Sequence, residues 1–187
     1  MPLQVHITYR KTSRLSMRLA KDGSLHVSAP WGYSRQRIEA FVRDNQTWIA
    51  RAQARQNARI EQQNDFYSRL PLNTAAEKAK AKQALLNIVQ PLIRQYSSLM
   101  NVTPKQLSFR ASKSRWGSCQ PKTGKICLSL YLLLLPDWCI EHVVVHEMTH
   151  LLIPNHSPAF YRQMDIYFPR WQEARLHTRQ LMQQPAR

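Results

Sequence analysis

No stretch of this chain is apolar for long enough to cross a membrane. Its longest unbroken apolar run lies around Tyr131 to Leu135, against the roughly 20 residues a spanning helix requires. Near the N-terminus, Thr8 to Ser13 and the basic residues around them interrupt any signal-peptide core. Cysteine is scarce: Cys119, Cys127 and Cys139 form no CxxC pair, and an odd count does not suit a closed disulfide framework. A reducing, cytoplasmic setting is therefore expected, and neither a membrane nor a secreted protein is. Acidic residues are also few, 11 against 27 Lys and Arg, for a formal net charge of +16. Such a field attracts polyanions, whether nucleotides, nucleic acid or an anionic substrate, and says nothing about fold. The 43% of hydrophobic residues in 187 suffices for a core, which suits one domain or a domain with a helical extension.

The first thirty residues read as β-structure. Val5, Ile7 and Tyr9 alternate with polar neighbours, as do Leu15, Met17 and Leu19, and then Leu25, Val27 and Ala29. Asp22-Gly23 between the last two runs signals a hairpin. One long helix is expected after Ser34, a candidate N-cap, with Ile38, Phe41, Val42, Trp48 and Ile49 on its apolar stripe. Arg51, Arg55 and Arg59 form a row along it, read as a solvated face. A second helix is expected from the capping box Thr74-Ala75-Ala76-Glu77, with a kink at Pro91. Leu107 and Phe109 suggest a strand, Lys122 to Lys125 a turn, and Ile126, Leu128 and Leu130 another strand. A helix should run from Pro136 to about Leu152, another should start at Ser157-Pro158, and a last should cover Trp171 to Met182. The domain reading places N-terminal strands and the long helix in residues 1–72 and a metal-binding catalytic domain in 73–187, with one continuous domain as the alternative.

His146-Glu147-Met148-Thr149-His150 is an HExxH motif inside a helical segment. Residues four apart share one helix face, so both imidazoles can grip one ion from the same side. Glu147 stands beside them and can take a proton from water without filling a ligand position. Chance alone predicts roughly 0.01 occurrences at these His and Glu frequencies, so the motif is specific. A catalytic zinc takes three protein ligands and keeps one position open. His156 is the candidate third ligand, because the chain can turn back after Pro154. The three offsets match the metzincin pattern HExxHxxGxxH, although Ile153 stands at its turning glycine. His142 cannot join the set: along a helix it lies about 12 Å from His150. Asp165 and Glu173 are weaker candidates, as ligands or as partners for a histidine ring.

Between Glu77 and Asp137 there is no acidic residue. The densest basic part of that gap, Arg110 to Arg115, leads into Trp116-Gly117-Ser118-Cys119. Arg115, with Lys113, can hold an anionic substrate group, and Ser118 can add a hydroxyl.

Together these segments are familiar. Ser114-Arg115-Trp116-Gly117-Ser118-Cys119, Gly124-Lys125-Ile126-Cys127-Leu128, Pro136, Val143-Val144-Val145-His146-Glu147, Asn155-His156-Ser157 and Phe160 resemble the YgjP-like metal-dependent hydrolase family. The resemblance spans most of the chain. It implies an α+β, zincin-like fold: a small, mostly antiparallel sheet packed on the HExxH helix, with an N-terminal β-hairpin and long-helix extension. It also implies a metal on His146, His150 and His156, with Glu147 as base. Ser129 stands where the family usually has Asn, Met148-Thr149 where it has Leu-Ala, and Tyr161 where it has Trp. Zincin-like relatives imply peptide hydrolysis; some YgjP-like relatives imply hydrolysis of a nucleoside triphosphate such as UTP.

The function expected is thus a zinc-dependent hydrolase, most simply a metallopeptidase, with Mn, Co or Ni able to replace zinc. A nucleotide pyrophosphatase using the same site is the alternative. A basic nucleic-acid-binding module with a structural metal is a third, although no zinc-finger or RRM signature is present. The strand Ile126 to Leu130 is expected to offer its edge to an extended peptide. No sequence feature sets the oligomeric state.

Overall fold

The computed structural model describes residues 3–183. The chain divides into two compact units at Glu61 and Gln62. No helix among the described residues is long and apolar enough to cross a membrane.

The first unit holds three strands, β1 (Val5–Arg10), β2 (Ser16–Leu19) and β3 (Leu25–Pro30), in the order β1-β3-β2. The hairpin expected at Asp22-Gly23 joins β2 and β3. Gly23 takes φ +86°, and the Asp22 carboxylate accepts hydrogen bonds from the Ser24 amide at 3.0 Å and its hydroxyl at 2.7 Å. Leu25, Val27 and Ala29 alternate onto one face and are buried with Ile38 and Ile49. The helical segment after Ser34 is not continuous. It forms α1 (Arg35–Asp44) and α2 (Gln46–Ser68), broken at Asn45. The Asn45 side chain donates to the Phe41 carbonyl at 2.8 Å, a local bond that competes with helix continuation. Gln56 of α2 donates to the Ala20 and Lys21 carbonyls at 3.0 and 2.9 Å and ties the hairpin to the helix. Arg51, Arg55 and Arg59 are all exposed.

The second unit opens with the last turns of α2, from Gln62 to Ser68, and continues in α3 (Ala75–Met100), which starts at the expected capping box and runs through Pro91. Strands β4 (Gln106–Arg110), β5 (Gly117–Gln120) and β6 (Lys125–Ser129) follow in the order β4-β6-β5. A 3-10 turn (Leu130–Leu134) leads to α4 (Asp137–Leu152), α5 (Pro158–Tyr167) and α6 (Trp171–Leu181). The architecture is α+β, with a small sheet on the HExxH helix. In one respect it differs from expectation: the sheet is mixed, not mostly antiparallel. β5 and β6 form an antiparallel hairpin, and β6 returns between β5 and β4, so it lies parallel to β4. β6 is therefore the central strand, both its edges are paired, and an added peptide cannot lie on it. The free edges of this sheet belong to β4 and β5.

Helix α4 packs against α3, β5, α5 and α6. Cys139, Ile140, Val143, Val144, Val145 and Met148 are buried around it. A helix apolar on nearly every side belongs in an interior, and each buried Val or Ile contributes about 1.5–3 kcal/mol. Tyr96 of α3 donates to the Glu141 carboxylate of α4 at 2.7 Å. The residues that depart from the family pattern have structural partners. Ser129 donates to the Ser112 carbonyl at 2.7 Å and accepts from the Tyr131 amide, which starts the 3-10 turn. Met148 and Thr149 are fully buried, and the Thr149 hydroxyl is satisfied by the Val145 carbonyl at 2.8 Å.

Candidate metal centre and cleft

The metal-binding geometry begins with the turn of α4 that carries His146 and His150, their ring centroids 4.9 Å apart. The helix stops at Ile153, whose φ of −133° is ordinary extended backbone. No left-handed turn is needed here, so the glycine of the metzincin pattern is dispensable. Pro154 and Asn155 then bring His156 back. One ligand atom from each of His146, His150 and His156 lies within 4.8 Å of the others, and the Nε2 atoms of His146 and His156 are 3.0 Å apart. Ligand nitrogens about 2.0–2.1 Å from a tetrahedral ion lie at comparable separations, so the donor set fits a zinc-type cation. The His150 Nδ1 lies 3.1 Å from the Ile153 carbonyl. A carbonyl only accepts, so Nδ1–H donates and Nε2 is left with its lone pair for an ion.

Phe160 of α5 is fully buried, and its ring lies 4.9, 4.6 and 4.8 Å from those of His146, His150 and His156. Burial and the neighbouring imidazoles push His146 down to about 3, and burial lowers His150 as well. Both are neutral near pH 7, the state a metal needs.

Glu147 is 6% exposed and faces strand β5. Burial pushes its carboxyl up to about 7, against the opposing pull of Arg115. Its place depends on Gly117: a Cβ built there would lie 2.5 Å from Glu147 Oε1 and 2.6 Å from Cγ. The missing side chain at Gly117 leaves the room that this carboxylate fills. Cys119, two residues on, lies on the same side of β5, where burial and then the Glu147 charge push its thiol up to about 11.

A cleft of about 410 Å³ opens on His146, Glu147, His156 and Phe160. Arg115 lines it, as expected; Lys113 and Ser118 are not among its lining residues. The Lys113 ammonium sits over the Tyr67 ring, 5.5 Å from its centre, and its carbonyl accepts from the Tyr67 hydroxyl at 3.0 Å. Ser118 alternates to the opposite side of β5 from Gly117. His142 lines the cleft outside the triad, its ring 6.1 Å from that of His146, and burial lowers it to about 4. Asp165 accepts from Trp171 Nε1 at 2.7 Å and Glu173 pairs with Arg170 at 3.1 Å. Neither belongs to the metal group. Sequence reasoning misses Trp171 and Arg175, which stand four apart on α6 and line the cleft. Their i, i+4 spacing is the one signal they leave.

Residues 13–78 and 72–181 match the family described as YgjP-like, metallopeptidase domain. That match supports a metal-dependent hydrolase of peptidase type. No curated protein matches the chain. Among solved structures, the metallopeptidase zymogen abylysin of Pyrococcus abyssi is 22% identical, with a TM-score of 0.47, covering 53% of this chain and 99% of its own. The zymogen of Methanocaldococcus jannaschii jannalysin is 19% identical, with a TM-score of 0.44, covering 49% and 94%.

Proposed function

The chain belongs to the YgjP-like metallopeptidase-domain family, and on that premise we propose that it is a zinc-dependent peptidase. In this reading His146, His150 and His156 hold the ion and Glu147 is the general base. The observation that carries it is the convergence of three imidazole donors within 4.8 Å, with a buried carboxylate beside them on the same cleft. When bound, zinc lowers the pKa of a water toward neutrality and polarises the scissile carbonyl.

The chain's own residues do the rest. Glu147, raised to about 7 by burial, takes a proton from the attacking water and can return it to the leaving amine. The hydrogen bond from His150 to Ile153 fixes the ring that faces the ion. Gly117 leaves the space in which the Glu147 carboxylate lies. β5 pairs only with β6 among the described strands, so its outer edge is open to an extended polypeptide.

The test is a parallel assay of zinc-loaded protein and its Glu147→Gln variant on an unfolded polypeptide and on UTP. The reading requires cleavage of the polypeptide by the parent protein alone. Release of phosphate or pyrophosphate from UTP, with the polypeptide intact, would overturn it.

A further inference from the structure

Two arginines reach the cleft from different elements. Arg115 lies in the connection from β4 to β5 and lines the cleft with Glu147. Arg175 stands on α6 and lines the same cleft as His142 and His146. Both are exposed. Neither forms an ion pair among the described residues, where the pairs are Arg35–Glu39, Arg69–Asp65 and Arg170–Glu173. Among the described residues, the one acidic side chain that lines the cleft is Glu147, against the two arginines. The cleft is therefore electropositive before any metal is counted.

The positive surface continues outward. A second groove of about 280 Å³ shares Trp171 and Arg175 with the cleft and adds Arg179, one turn further along α6. Its floor includes Leu176, 54% exposed. An aromatic wall leads into it. Tyr161 stacks on His156 at 6.3 Å and on Trp171 at 5.1 Å, and Asp165 anchors the Trp171 indole. The wall gives apolar contact area at low entropic cost, and the arginines beyond it present planar forks that match carboxylates.

We infer that α6 is a substrate track: Trp171, Arg175 and Arg179 receive an acidic stretch of polypeptide on one side of the scissile bond, while Arg115 receives a carboxylate beside Glu147. This rests on the peptidase reading for the bond that is cut, but not for the binding itself. The occupant is a polypeptide rich in Asp and Glu, because the groove combines cations spaced one helical turn apart with an apolar floor.

The test separates the two claims. The zinc-loaded, full-length Glu147→Gln protein is titrated with two labelled peptides of equal length. They share a central sequence and differ only in Asp and Glu against Asn and Gln in the flanks. The acidic peptide should bind about tenfold more tightly, as expected of a few exposed ion pairs, and the difference should shrink with salt. Arg175→Gln with Arg179→Gln should collapse it, and Arg175→Glu with Arg179→Glu should turn the preference toward a basic peptide. Equal binding of acidic and neutral peptides overturns the inference, as does tighter binding of a single-stranded oligonucleotide than of the acidic peptide. Discrimination in binding with no cleavage by the parent protein would defeat the peptidase reading and leave the track standing.

Discussion

Gly117 and Glu147 are locked together: the space beside the Gly117 Cα is the space the Glu147 carboxylate occupies, with Oε1 2.5 Å from where a Cβ would stand. The proposed base is therefore placed by a missing side chain on β5 as much as by its own helix.

Gly117→Ala tests this contact. The added methyl must push aside a carboxylate that is itself buried, at a cost of about 1–3 kcal/mol for an overpacked interior site. We predict turnover reduced at least about tenfold, since a base displaced by about 1 Å loses its reach to the reacting proton. Zinc content should be unchanged. Crystals of the variant showing Glu147 in its original position with full activity would refute the contact's role.

Glu147→Gln keeps the shape of the side chain and removes its basicity. Zinc should remain bound, and the rate should fall by about 10²- to 10⁴-fold. Turnover equal to the parent's would remove Glu147 from the mechanism.

His150→Ala takes away one of three imidazoles and the hydrogen bond to Ile153. Because binding to the native state adds to stability, chelation should lower the parent's Tm. The variant should bind less than one zinc per chain and show a Tm insensitive to chelator. Elemental analysis and calorimetry measure both, and full occupancy in the variant contradicts the ligand assignment.

Tyr96 predicts an alkaline limit. Burial, then the hydrogen bond to Glu141 and that residue's charge, raise its phenol above the ordinary 10.0. Above pH 10 the unfolded chain gives up this proton while the folded chain keeps it. The stability contributed is present below pH 10 and is lost as pH rises toward the folded value. Between pH 9 and 11 the parent's Tm should fall more steeply than that of Tyr96→Phe. Parallel profiles would contradict this.

Much of the second unit can be read directly from the chain. The apolar stripe and HExxH of α4, the capping box of α3 and the Ser157-Pro158 start of α5 are local signals, and the structure follows them. β5 is not legible because Gly-Ser-Cys-Gln has no alternating apolar pattern; pairing to β6 makes it a strand. The break at Asn45 depends on one side-chain bond to Phe41, which periodicity does not register. Arg175 lies nineteen positions beyond His156 (far outside any motif window), and only the packing of α6 on α4 brings it to the cleft.

The most direct test of the account is a crystal structure of the zinc-loaded protein with anomalous scattering recorded at the zinc edge. The account predicts one strong peak about 2.0–2.1 Å from Nε2 of His146, His150 and His156, with no fourth protein ligand. A peak elsewhere, or a position closed by another side chain, would contradict it.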